Sequence, residues 1–122
     1  MIADDDSDIR TLMVIAAKRA GVEVVAAVDN GRSALEAVQQ GGIDLAVLDI
    51  SMPGLNGLEV ARRIRSDPAT SGTQILMISA SVHLLADHGT VADNSDSFMI
   101  KPFSPKALTV RIGELLGSEC RA

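Results

Sequence analysis

Short apolar runs recur along the chain at residues 1–3, 45–48, 75–78 and 98–100, and polar residues follow each at once: Asp4-Asp5, Asp49, Ser79 and Lys101-Pro102. Continuous rather than alternating apolar runs mark strands covered on both faces, as in a parallel sheet. The C-terminal ends of such strands share one edge, so these polar residues converge there. In open alternating sheets that edge is where ligands bind. Three carboxylates, one hydroxyl and one ammonium form an inventory suited to a divalent cation together with a phosphoryl group.

Between the runs the pattern is helical. Ser7 or Asp8 is predicted to cap a helix with Ile9, Leu12, Met13, Ala16, Ala17 and Ala20 on one face, ended by Gly21. Residues 22–27, β-branched and apolar, predict a second strand; Asp29-Asn30-Gly31 then turns into a helix carrying Leu35 and Val38 inward, closed by Gly41-Gly42. After the central strand, a loop punctuated by Pro53, Gly54 and Gly57 leads to Leu58, Ala61, Ile64 and Arg65 at helical spacing, stopped by Ser66-Asp67-Pro68. The fourth strand covers 74–78. Ser104-Pro105 predicts a helix start, a capping hydroxyl followed by proline at the first helical position, with Leu108, Ile112, Leu115 and Leu116 inward and Gly117 at the end. The weakest segment is 81–97, where Gly89-Thr90 interrupts the apolar spacing and Asp93-Asn94-Ser95-Asp96 are poor helix formers; a short or mobile fourth helix is expected there. Five strand signals with helices between them predict an α/β, three-layer, doubly wound parallel sheet with right-handed crossovers.

Length adds that the 122 residues form a single domain, 1–122, and the 47% hydrophobic content supplies a real core. The net charge of −5 is concentrated in Asp4, Asp5, Asp6 and Asp8, a site rather than a solubilising shell. It speaks against direct nucleic-acid binding, which needs a basic face, and Phe98 and Phe103 alone make no stacking platform. The single cysteine, Cys120, excludes an intrachain disulfide and a cysteine metal site, and no apolar stretch or leader pattern marks a membrane span or secretion signal. A cytoplasmic protein without membrane partners is expected.

Each polar position has an ordinary reading when taken alone. Acidic residues after a strand commonly cap helices or face solvent, which is the reading for Asp6 and Asp8. The adjacent pair Asp4 and Asp5, however, repels itself unless a cation is present. Asp49 ends an apolar run at the mouth of the core, where a carboxylate is also a competent phosphoryl acceptor, forming an acyl phosphate. The Ser79 hydroxyl can donate to a phosphoryl oxygen and the Lys101 ammonium can act as a compact counter-charge. Lys101-Pro102 tolerates a cis bond that would aim the ammonium into the site. All four positions filled at matching strand ends outweigh the ordinary readings.

The stretches Ala3-Asp4-Asp5-Asp6, Leu48-Asp49-Ile50-Ser51-Met52-Pro53-Gly54 with Gly57, Ile78-Ser79-Ala80 and Phe98-Met99-Ile100-Lys101-Pro102-Phe103 closely resemble the response-regulator receiver domain of two-component signalling, over essentially the whole chain. The resemblance implies a flavodoxin-like sheet in strand order 2-1-3-4-5 with five helices. It also implies transfer of a phosphoryl group from a phosphohistidine on a sensor histidine kinase or a histidine phosphotransfer protein to Asp49. Mg2+ would be held by Asp5, Asp49 and the Ser51 carbonyl, with Asp4 contributing through water. Ser79, Ala80 and Lys101 would hold the phosphoryl oxygens, and Ser79 and Phe98 would switch a protein-binding surface read by a downstream effector. Such a chain catalyses only its own phosphorylation and dephosphorylation and is otherwise no enzyme.

Departures from the family pattern carry expectations of their own. The first strand is clipped at Met1-Ile2-Ala3, which predicts lower stability or strand exchange into a homodimer. Phe98 lacks a phenol hydroxyl, so a switch there is read through packing. Asn94 stands where the family usually has glycine, which asparagine's tolerance of left-handed backbone geometry permits. Ser51 and Ser81 carry no charged or amide group to orient water, so the acyl phosphate is expected not to be especially short-lived. The alternative function is a pseudo-receiver, a phosphorylation-independent protein-interaction module. A haloacid-dehalogenase-type phosphatase is disfavoured because Ser51, not an aspartate, lies two residues past Asp49. A dinucleotide-binding domain is disfavoured because no Gly-x-Gly-x-x-Gly follows the first strand.

Overall fold

The computed structural model describes residues 1–52, 54–79, 97–101 and 103–116. In chain order these form β1 (Ile2–Ala3), α1 (Ser7–Arg19), β2 (Ala27–Val28), α2 (Gly31–Gln39), β3 (Leu45–Asp49), α3 (Gly57–Ser66), β4 (Gln74–Ser79), β5 (Ser97–Ile100) and α4 (Pro105–Leu115). The five strands pair in the order β2-β1-β3-β4-β5, and every pair is parallel. This is the flavodoxin-like α/β sheet expected from the sequence. The short fourth helix expected between residues 81 and 97, with Ser81 and Asn94, falls outside the described residues up to Ser97, which begins β5; Pro53, Ala80, Pro102, Gly117 and Cys120 also fall outside them.

Strand alternation sorts the core into two layers. Ile2, Leu45, Val47, Leu76 and Ile78 meet Met13, Ala16 and Ala17 of α1 and Leu108 and Ile112 of α4 on one face. Ala3, Ala46, Leu48, Ile75 and Met77 meet Ala34, Leu35 and Val38 of α2 and Val60, Ala61 and Ile64 of α3 on the other. β3 and β4 are buried throughout apart from Gln74, which is why their sequences are continuously apolar.

Three local expectations are corrected. The second strand is two residues long, not six: β1 reaches only Ile2, which pairs with Ala27 and donates to the Ala26 carbonyl at 2.9 Å, so residues 22–25 have no ladder partner and Val25 is exposed. The cap of α1 is Asp6 rather than Ser7 or Asp8. Its extended backbone brings the carboxylate to the N–H groups of Asp8 and Ile9. Leu12, assigned to the inner face, is 40% exposed, because α1 seats on the small residues Ala16 and Ala17 with Met13 and leaves Leu12 on the flank. Ser104 with Pro105 starts α4 as expected, and Asn30 and Asn56, at the ends of the preceding turn and loop, cap α2 and α3.

Gly57, the first residue of α3, lies directly beneath the end of β3. Its N–H donates to the Ile50 carbonyl at 2.9 Å, and a Cβ there would fall 2.4 Å from the Asp49 carbonyl oxygen and 2.9 Å from Ile50 Cα. Both obstacles are backbone, so α3 must move as a unit to make room. Gly57→Ala is expected to cost about 1–3 kcal/mol of stability. Calorimetric unfolding of wild type and variant, showing a lowered midpoint, checks it.

Candidate functional site

The C-terminal ends of β1, β3, β4 and β5 bring the polar residues to one edge. Asp4 follows β1 and is fully buried: its N–H donates to the Val28 carbonyl at 3.1 Å, and its Oδ1 accepts from the Asp6 N–H at 2.9 Å. Asp49, the last residue of β3, is 3% exposed, and Ser79, the last of β4, is 1% exposed. Lys101 follows β5, and its N–H donates to the Ser79 carbonyl at 2.7 Å, which joins the two strand ends. The Lys101 ammonium lies 2.9 Å from Asp4 Oδ2 and 3.4 Å from Asp49 Oδ1.

One ammonium therefore faces two buried carboxylates, and Asp5 adds a third, exposed one. Burial, then the neighbouring charge of Asp4, push the Asp49 carboxyl up to about 6, and the Lys101 ammonium only partly opposes them. Burial works to lower the Lys101 ammonium, but Asp4 and Asp49 outweigh it and hold it above its ordinary value.

Oxygens of Asp4, Asp5 and Asp49 all lie within 4.8 Å of one another. Hard carboxylate oxygens so arranged are the donor set of a small divalent cation. Among the described residues the fully buried Asp4 Oδ2 has no hydrogen-bond donor beyond its ion pair with Lys101, and the three carboxylates facing that one ammonium leave negative charge in excess. Both features fit Mg2+.

The structure thus brings together Asp4, Asp5, Asp49 and Lys101, with Ser79 at the adjoining strand end. Ser51 lies two residues past Asp49 in the exposed part of the loop before α3. Phe98 is in β5 opposite Met77 and is half exposed. Sequence reasoning missed Arg10. Its guanidinium donates to the Asp4 carbonyl at 2.8 Å, and the signal was a cation one helical turn past the Asp6 cap, directly after the acidic cluster.

Fold and site together define a receiver of the two-component type. Residues 1–113 match the family model of the response regulator receiver domain, and the chain belongs to that family. It is similar to the DNA-binding response regulator MtrA of Mycobacterium tuberculosis, 32% identical over 112 residues that cover 92% of this chain and 47% of MtrA. The chain spans about half the length of the curated relatives it matches. Among solved structures, the signal receiver domain of the NarL response regulator from the same organism has a TM-score of 0.83 at 29% identity, covering 93% of this chain and 90% of that one. The response regulator TrrA of Thermotoga maritima, solved in complex with Mg2+ and BeF, has a TM-score of 0.78 at 32% identity, covering 93% and 95%. Receiver domains of this family bind Mg2+ and are generally signalling modules rather than enzymes. No helix among the described residues is long and apolar enough to cross a membrane.

Proposed function

We propose that Asp49 is a phosphoryl acceptor, served by a sensor histidine kinase or a histidine phosphotransfer protein, and that phosphorylation switches a protein-binding surface read by a downstream effector. The observation that carries this is the pairing of the buried Asp49 carboxylate with the Lys101 ammonium at 3.4 Å, beside the acidic pair Asp4-Asp5. An Asp49 carboxylate oxygen would attack phosphorus in line as the N–P bond of the phosphohistidine breaks. The electron pair leaves with the imidazole, which takes up a proton, and Asp49 is left as an acyl phosphate. Lys101 would turn its ammonium to the transferred oxygens, and Ser79 with the Ala80 N–H would complete their cradle. A bound Mg2+, held by Asp5, Asp49 and the Ser51 carbonyl with Asp4 acting through water, would neutralise charge between acceptor and phosphoryl group.

Phe98, half exposed in β5, would turn inward once the Ser79 hydroxyl moves to the phosphoryl group. The effector would then read a change in packing. The DNA binding named for MtrA belongs to a protein about twice this length, and the output proposed here is protein docking.

Incubating the protein with acetyl phosphate and recording intact mass tests the reading. A single Mg2+-dependent phosphoryl adduct is expected, decaying no faster than an aspartyl phosphate in an unfolded peptide. A folded protein that takes up neither phosphoryl nor beryllofluoride would be a phosphorylation-independent interaction module.

A further inference from the structure

We infer that Arg10 is a positioning residue for the cation site, setting the direction of Asp5 through the backbone; the inference rests on the reading of Asp4, Asp5 and Asp49 as the Mg2+ ligands. Asp4 is anchored at its N–H by Val28, at Oδ1 by Asp6 and at Oδ2 by Lys101. Asp5 has no comparable hold: it is exposed, and no hydrogen bond from a described residue reaches its carboxylate. What restricts its side chain is therefore the backbone on either side of it.

The Asp4–Asp5 peptide is rigid and planar, so holding its carbonyl holds the plane that carries Asp5 Cα, while the Asp6 N–H bond to Asp4 Oδ1 holds the peptide on the far side; together they limit the rotations that direct the Asp5 Cα–Cβ bond. The Arg10 guanidinium makes the carbonyl contact at 2.8 Å, reaching back from the first turns of α1. Arg10 is itself placed by the helix, its N–H donating to the Asp6 carbonyl at 2.9 Å, while Asp6 caps the same helix. A ring of contacts thus runs from Asp4 through Asp6 and Arg10 back to the Asp4 carbonyl, with Asp5 in its middle.

Two physical effects of Arg10 on cation binding have opposite signs, which makes the inference testable. A nearby guanidinium repels a divalent cation, so deleting its charge tightens binding if electrostatics alone matters. Removing the hydrogen bond loosens the Asp4–Asp5 peptide and weakens binding if positioning matters. Loss of an outer-shell partner typically weakens metal affinity by about tenfold or more.

The test is titration of Mg2+ into wild type, Arg10→Met and Arg10→Lys, followed by amide chemical shifts, with amide exchange of Asp6 measured in the metal-free proteins. The expected result is a Mg2+ dissociation constant raised about tenfold in Arg10→Met, faster Asp6 exchange, and substantial recovery of both in Arg10→Lys, which keeps a donor on a long stem. Phosphorylation of Arg10→Met by acetyl phosphate should recover at saturating Mg2+, a split that general damage to the fold would not produce. An unchanged or tighter Mg2+ constant in a folded Arg10→Met, or in Arg10→Ala should the methionine variant not fold, overturns the inference alone. A folded wild type that binds no Mg2+ overturns the ligand assignment as well.

Discussion

Asp49→Asn is expected to abolish the phosphoryl adduct formed from acetyl phosphate while making the metal-free protein more stable at neutral pH. The first half follows from chemistry, since an amide oxygen does not form an acyl phosphate at this site. The second half follows from the cost of ionising Asp49 in place. In the fold its carboxyl sits at about 6, against an ordinary value of 3.8, because burial and then Asp4 disfavour the charge. An acid whose folded value is raised holds its proton more tightly in the native state, so its contribution is fully present below about pH 4 and is lost as pH rises through about 6. At about 1.4 kcal/mol per unit, the shift corresponds to a loss on the order of 2–3 kcal/mol across that window. Asparagine, isosteric and neutral, escapes it. Thermal unfolding of both proteins without metal at pH 4 and pH 8 checks this: the midpoints should be similar at pH 4, with the variant clearly higher at pH 8. Added Mg2+ should narrow the gap by stabilising wild type. A variant less stable than wild type at pH 8 would show that the Asp49 charge is already compensated in the fold.

The strand order came only with the family resemblance, but the convergence of Asp4, Asp5, Asp49, Ser79 and Lys101 was legible in the residues, because each follows an apolar strand, with β3 and β4 buried on both faces and β5 partly covered. Such strands write themselves into the sequence as uninterrupted apolar runs, and the first polar residue after each run is placed by the sheet itself. The length of β2 was not legible. Residues 22–27 have the composition of a strand, but a ladder needs a neighbour, and β1 offers hydrogen-bonding partners only from Ile2 onward. The α1 cap was placed one or two residues late because Asp6, Ser7 and Asp8 are all competent caps, and the backbone entry angle chooses among them. Leu12 was assigned inward because helical spacing alone does not show which flank of a stripe the sheet leaves uncovered. Arg10 was missed for a related reason: a cation one turn past a helix cap is an ordinary feature, and its partner, a backbone carbonyl, is not marked by any residue type.

Lys101→Met should produce two defects that Mg2+ separates. The Lys101 ammonium lies 2.9 Å from Asp4 and 3.4 Å from Asp49, carboxylates that are fully or almost fully buried. Methionine keeps most of the stem's packing but leaves two like charges facing each other without a counter-charge. Orphaning a buried charge costs about 3–5 kcal/mol, and because the lysine side chain is 19% exposed the lower end applies. The penalty should grow with pH, since Asp49, already pushed up to about 6 with the ammonium beside it, loses that opposing charge and holds its proton more tightly in the fold than in the unfolded chain. Stability is then intact below about pH 4 and falls as Asp49 is forced to ionise. Thermal unfolding against pH should therefore show a deficit in Lys101→Met that is small in acid and large above neutrality. Added Mg2+ should recover much of the deficit by supplying positive charge to the same oxygens. Phosphoryl transfer should not recover with it. The ammonium is assigned to the oxygens of the transferred group, and loss of a preorganised charge there is expected to slow adduct formation by about 10²–10³-fold even at saturating Mg2+. If Mg2+ restored stability and phosphorylation rate together, Lys101 would serve only to neutralise Asp4 and Asp49.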